Sequence, residues 1–327
     1  MRAAVFEVFG DPAAVLETRN IPTPEPGPGK VRVKMLASPI NPSDLMVVRG
    51  TYGKLPKLPA TPGFEGVGIV ETGGGLLGRF LKGRRVAVLN GDGGNWAEQA
   101  IVSARQVVPI SSKLTLEQAA TFFVNPATAY ILTHKVLAVP RGEWLLQTAA
   151  GSQVGRMVIR LGQHAGFKTL NIVRRQEQVA ELKVLGADVV LLESEIDLPG
   201  QIRQLTDGGV KYAIDPVGGP LGSQVVRSLG HGGKLVLYGT LSDQPLSFSP
   251  RDLMSANGSI IGFWLGHWMA EQNLFGKLGL MRTLGGLINS GVLTSDIAAS
   301  YSLDQISAAV QAANAPGRSG KVLLKMS

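Results

Sequence analysis

The rhythm of apolar and polar positions changes at about residue 115. Before it, short runs of β-type residues stand between proline and glycine turns. Val31–Leu36, Gly66–Val70 and Arg85–Leu89 each predict a strand, and helical spacing is weak. This part reads as an irregular β-rich domain with a partly barrel-like sheet. After it, strands and helices alternate. Glu143–Thr148 predicts a strand, and the segment that follows puts Val154, Met157, Val158, Leu161 and Ala165 on one helical face. Gly166 fits the end of that helix, and Thr169–Val173 the next strand. A second helix carries Val179, Leu182 and Leu185 and stops at Gly186 before a strand over Ala187–Leu192. Tyr212–Asp215 and Lys234–Tyr238 extend the series. Such alternation specifies a doubly wound parallel sheet, an α/β fold. The tail predicts helices over Leu278–Asn289 and Ser302–Ala313 and a closing strand over Lys321–Lys325, and is expected to rejoin the first domain. The expected division is therefore residues 1–123 with 268–327 in one domain and 124–267 in the other.

A chain of 327 residues suits two domains. Hydrophobic residues at 44% against charged residues at 17% exclude a disordered chain. The 42 glycines follow no period of three, which excludes collagen and fits many tight strand–helix turns. The absence of cysteine removes disulfides, thiol nucleophiles and every cysteine-based zinc site. The four histidines, His134, His164, His231 and His267, are not spaced as a metal cluster, so no metal is expected. Net charge is +8, but the basic residues are dispersed, the densest pairs being Arg84-Arg85 and Arg174-Arg175. That favours a small anionic ligand over nucleic acid. No stretch approaches the ~18 uninterrupted apolar residues of a membrane span, and Glu7 and Asp11 interrupt the start of the chain before any signal-like run. The expectation is a cytoplasmic protein with no membrane partner.

The turn Ala150-Gly151-Ser152-Gln153-Val154-Gly155 lies between a predicted strand and a predicted helix. Against G-x-G-x-x-G it has Ala150 and Ser152 in the first two glycine positions and Gly155 in the third. Small residues there let the backbone approach a pyrophosphate at the positive end of the helix. The bland alternative is an ordinary strand–helix turn. After the next strand, Arg174-Arg175 stands where NAD sites place an acidic residue. A guanidinium pairs with a 2′-phosphate through forked, charge-assisted bonds, so NADPH is expected over NADH. Two solvated surface arginines are the competing reading.

The order Asn41-Pro42-Ser43-Asp44, Gly63-Phe64-Glu65-Gly66-Val67-Gly68 and Ala150–Gly155 resembles the medium-chain dehydrogenase/reductase superfamily over essentially the whole chain. That resemblance implies a GroES-like catalytic domain beside a Rossmann-type one. Ser43 and Phe64 lie around the positions where zinc-dependent members carry Cys and His, which implies the zinc-free branch. The segments Asn41–Tyr52, Val124–Tyr130, Leu170–Arg174 and Gly262–Trp268 are most similar to NADPH-dependent 2-enoyl thioester reductases. Quinone reductases share the first of them and a tyrosine near Tyr52.

By that resemblance hydride adds to the β-carbon of an α,β-unsaturated thioester and Tyr52 donates the proton, with Asn41 as its catalytic companion. Asn125 and Thr128 are implied beside the nicotinamide and substrate, Asn125-Pro126 reading as an extended turn before a helix over Thr128–Leu132. Tyr238, Gly239, Phe263, Trp264, Leu265 and Lys321 complete the implied cofactor set. Two departures stand out: Gln153 replaces a glycine common in the family, and Arg175 is frequently acidic in relatives. The implied partners are an enoyl thioester on coenzyme A or acyl carrier protein, both of which suit a basic protein, and a second copy of the chain in a homodimer. A quinone, alkenal or enone reductase on the same scaffold is the alternative, and a non-catalytic NADPH-binding protein the next.

Overall fold

The computed structural model describes Met1–Met326. The chain forms two compact units, the first comprising Met1–Val124, Met281–Asn289 and Thr294–Ser327 and the second Asn125–Leu280 and Ser290–Leu293. The return to the first unit thus falls at Met281 and not at residue 268. The helix Leu265–Glu271 has no buried residue, so its apolar pattern carried no signal of which unit it follows.

In the first unit β1 (Arg2–Val5) pairs with β2 (Glu17–Asn20). A seven-stranded sheet contains β3 (Lys30–Pro39), β4 (Glu65–Gly73), β5 (Arg85–Leu89), β6 (Gln99–Ser103) and β7 (Val107–Pro109). Along β3, Val31, Val33 and Met35 are buried while Arg32 and Lys34 are not, the alternation of a strand with one face on a core. Those side chains pack with Val86, Val88 and Trp96, and the Trp96 indole N–H donates to the Pro39 carbonyl at 3.3 Å. Gly68 is required where β4 passes β3, because a Cβ there would lie 2.4 Å from the Lys34 carbonyl oxygen.

The second unit is a six-stranded parallel sheet of β8 (Trp144–Gln147), β9 (Lys168–Val173), β10 (Val189–Leu192), β11 (Val210–Asp215), β12 (Leu229–Leu237) and β13 (Ser259–Gly262). Their spatial order is β10-β9-β8-β11-β12-β13, so strand order reverses between β8 and β11. This is the 3-2-1-4-5-6 order of a Rossmann sheet, whose ligands bind beyond the carboxyl ends of the strands at that reversal. The helix Gln153–Ala165 follows β8. Met157, Val158 and Leu161 are buried on it, and Gly166 ends it in the left-handed region at a φ of 84°. A buried polar ladder crosses the sheet: Gln147 Nε2 donates to Asn171 Oδ1 at 2.7 Å, and Asn171 Nδ2 to the Val189 carbonyl at 2.9 Å.

The sheet of the first unit is completed by β14 (Ile297–Ser302) and β15 (Lys321–Lys325), the latter pairing antiparallel with β3. One local expectation is corrected. Asn125-Pro126 is not an extended turn but lies inside the helix Val124–Ile131. Proline is tolerated there because the first-turn N–H groups have no partner within a helix.

The wholly buried Leu146 on β8 sits at the centre of this architecture. Leu146→Ala is expected to cost about 2–5 kcal/mol, read as a lower urea midpoint for unfolding of the second unit.

Candidate active site

The first unit holds a cluster of charged and polar side chains with almost no access to water: Asn41, Asp44, Glu65 and Lys321. Asn41 precedes the helix Pro42–Arg49, and Asp44 in its first turn reaches back to accept from the Asn41 backbone N–H at 2.8 Å. The other Asp44 oxygen accepts from the Phe64 backbone N–H at 3.0 Å. The Asn41 side chain donates to Glu65 Oε1 at 2.9 Å, and its carbonyl oxygen accepts from the Lys321 ammonium. Glu65 Oε2 accepts the backbone N–H groups of Phe123 at 3.3 Å and Val124 at 2.9 Å. A carboxylate from β4 therefore caps the start of the helix Val124–Ile131, where the helix dipole favours negative charge.

Burial dominates the electrostatics. It pushes the Asp44 carboxyl up to about 7, against the pull of its two backbone hydrogen bonds. It raises the Glu65 carboxyl as well, opposed first by the Lys321 charge. Burial lowers the Lys321 ammonium to about 8, against the attraction of Glu65 and then Asp44.

Beside this cluster lies a cavity of about 390 Å³ in the same unit, lined among others by Asp44, Val47, Leu55, Lys57, Pro62 and Phe64. Lys54, at its rim, pairs with Asp92 at 2.7 Å. The ring of Tyr52 leans on that of Phe64, with centroids 5.2 Å apart. Tyr52 thus stands next to a space with both apolar and charged walls, its aromatic body held by Phe64. Asn41 and Lys321 are brought together in one buried network. The Asn41 amide bonds Glu65, and the Lys321 ammonium bonds Asn41 within the first unit.

In the second unit the turn Ala149–Ser152 joins β8 to its helix. The Ser152 hydroxyl accepts from the Gly155 N–H at 3.1 Å and caps the helix. Gly155 packs against the turn so closely that a Cβ would lie 2.4 Å from the Ala150 carbonyl oxygen. The third glycine of the fingerprint is thus present for helix–strand packing, while Ala150 is buried and Gln153 and Val154 open the helix. Asp215, ending β11 across the reversal, is spent on the backbone: it accepts from Val217 N at 2.8 Å, Gly218 N at 2.9 Å and the Thr148 hydroxyl. Next to it the half-buried Tyr238 has a buried hydroxyl with no partner among the described residues. Gly239 follows, where a Cβ would meet the Pro216 carbonyl oxygen at 2.8 Å. Arg174, just past β9, is exposed and has no hydrogen bond or ion pair among the described residues. A dinucleotide fits this set: backbone and a helix start for the pyrophosphate, and an uncommitted guanidinium for a phosphate on the ribose.

Asn125 and Thr128 are nearly buried on the helix that Glu65 caps, at positions one and four of it after Val124 is set aside. Phe263 continues from β13, its N–H bonded to the Leu237 carbonyl, and Trp264 precedes the helix beginning at Leu265 and stacks on His267. Asp44 and Glu65 stand in the motifs Asn41–Asp44 and Gly63–Gly68 without being singled out by residue type. The signal for Asp44 was present in its spacing of three from Asn41, that of a capping box. Glu65 had none, because its partners at residues 41, 123, 124 and 321 are remote in sequence.

The pH behaviour follows with a definite sign. The folded Asp44 binds its proton more tightly than an unfolded aspartate, so its contribution is intact below about pH 4 and is lost as pH rises through about 7. Thermal melts are expected to show stability falling across that window in the wild type, and Asp44→Asn to flatten the slope there.

A family model described as alcohol dehydrogenase GroES-like domain matches residues 27–112, and one described as zinc-binding dehydrogenase matches residues 154–278. The human mitochondrial enoyl-[acyl-carrier-protein] reductase is 34% identical over 331 residues, covering 100% of this chain and 89% of that protein. A quinone oxidoreductase of Pseudomonas syringae superposes with a TM-score of 0.90 at 26% identity, covering 100% of both chains. The complex of Etr1p with NADP and crotonyl-CoA does so with a TM-score of 0.84 at 27% identity, covering 99% of each. The chain is an oxidoreductase of the medium-chain dehydrogenase/reductase superfamily, and belongs there with the enoyl-[acyl-carrier-protein] reductases.

Proposed function

We propose that this protein reduces the C=C bond of 2-enoyl thioesters with NADPH. The observation that carries the reading is the Tyr52–Phe64 pair beside the cavity of the first unit. Reduction of an enoyl thioester builds negative charge on the carbonyl oxygen and α-carbon. Phe64 offers no ligand atom with which to stabilise it, whereas a phenol can hydrogen-bond the charge and deliver a proton. When bound, NADPH supplies the hydride that adds to the β-carbon. Tyr52 donates its proton to the α-carbon, directly or through a relay, and regains one from solvent. The apolar wall formed by Val47, Leu55 and Phe64 suits an acyl chain. The free Arg174 supports NADPH, as does the NADP held by Etr1p, whose complex also contains a crotonyl thioester.

A quinone or enone reductase is the second reading, favoured by the likeness to the Pseudomonas quinone oxidoreductase. A homodimer is supported by β13, a terminal strand of its sheet with exposed Ile261, against which a second copy could extend the ladder. Acyl carrier protein as the physiological carrier is supported by the names of the relatives.

NADPH oxidation with a chain-length series of trans-2-enoyl-CoA substrates, run beside a benzoquinone and a simple enal, tests the reading. Preference for the thioesters is expected, and quinone or enal turnover with inert thioesters would move the protein to the second reading. Tyr52→Phe is expected to lower thioester turnover by about 10²–10⁴-fold with NADPH affinity near wild type. Unchanged turnover removes the donor role. Arg174→Ala is expected to weaken NADPH binding by about ten- to a hundredfold and to spare NADH, measured by fluorescence titration.

A further inference from the structure

The helix Gly75–Leu81 connects β4 to β5 and is held by only one side. Gly78 and Leu81 are buried, with Gly78 so close to Gly73 that a Cβ on either would meet the other's backbone within 3 Å. That contact turns the opposite face outward. Leu76 is 87% exposed, Phe80 65% and Leu77 47%. Single exposed apolar residues are ordinary, but three large ones within five positions form a patch.

Most of the charged residues around the patch are basic, and the nearby Glu71 and Glu25 are paired with Arg32. Arg79 and Lys82 are exposed and have no ion pair among the described residues. The Arg84 guanidinium lies over the Phe80 ring at 4.7 Å. Arg85 donates to the carbonyls of Leu114 at 2.7 Å and Thr115 at 3.1 Å, which brings the exposed Lys113 to the same edge. On the other side Gly74 N–H donates to the carbonyl of Lys30. Between Glu71 and Asp92 the chain contains no acidic residue.

We propose that this helix docks the protein on an anionic lipid surface. Leu76, Leu77 and Phe80 enter the boundary between headgroups and acyl chains, and Arg79, Lys82 and Arg84 engage the headgroup phosphates. The position of the helix distinguishes this from docking of an acidic carrier protein. It lies at the far end of β4 from Glu65, roughly 26 Å along the strand at 3.3 Å per residue. A carrier seated there would stand away from the cavity beside Tyr52, whereas a bilayer leaves that cavity free. The charge and the protruding leucine both suit a fluid, phosphate-rich boundary. The sequence-based expectation of no membrane partner rested on the absence of a spanning segment. No helix among the described residues is long and apolar enough to cross a membrane, and surface docking requires none.

The test is co-sedimentation of the intact protein with vesicles of phosphatidylcholine alone or of an equimolar mixture with phosphatidylglycerol. The wild type is expected to pellet with the anionic vesicles, less so as salt is raised, and to stay in solution with the neutral ones. Arg79→Glu with Arg84→Glu is expected to weaken partition roughly thirtyfold, and Leu76→Ser with Phe80→Ser at least tenfold. Both double variants are expected to keep the wild-type melting temperature and solution turnover, which separates lost docking from misfolding. Wild-type protein that ignores anionic vesicles, equal partition into neutral ones, or variants that partition unchanged would overturn the proposal. So would capture by an acidic carrier protein in place of the vesicles.

Discussion

A carboxylate removed from water must be answered by the fold itself, and Glu65 is where this constraint is most demanding. Its two oxygens take the Asn41 amide and the N–H groups of Phe123 and Val124, while the Lys321 charge offsets its burial. These partners come from the loop before one helix, the start of another and the closing strand. The satisfaction of one buried anion therefore requires all of them to assemble together. Removing a partner leaves a charge that nothing nearby can solvate, a far larger penalty than the loss of one surface contact. Asn41-Pro42-Ser43-Asp44, Gly63–Gly68 and Gly320-Lys321 are separate strings in the sequence and one physical object in the first unit.

That object also determines what surrounds Tyr52. Asp44 holds the backbone of Phe64, and Phe64 carries the Tyr52 ring. The buried cluster thus reaches the Tyr52 ring through Phe64. Here Phe64 sets an aromatic wall against the Tyr52 ring.

In the second unit the governing demand is close approach of backbone. Gly155 and Gly239 stand where any side chain would collide with a carbonyl oxygen, and both lie beside the carboxyl ends of strands flanking the topological reversal. Asp215 is committed to its own loop, so it shapes the crevice. Arg174 is left uncommitted at the end of β9. Order around the turn and an uncommitted arginine thus stand at the carboxyl end of the same sheet.

The alternation of strands and helices after residue 115, the strand at Arg85–Leu89, the helix stop at Gly166 and the glycine-poor fingerprint before it were all legible in the chain, because each depends on neighbours a few residues apart. Apolar periodicity and turn chemistry are local signals. Tyr52 and Arg174 were legible as candidates by residue type and position. The sequence did not reveal that Asn41 and Lys321 share one buried cluster, that Glu65 caps a helix nearly sixty residues on, or that Pro126 lies within that helix. Nor could it assign the helix Leu265–Glu271 to a unit, since that helix buries nothing. Those features depend on contacts between distant segments and on the cost of burying charge, which exist only once the chain has folded.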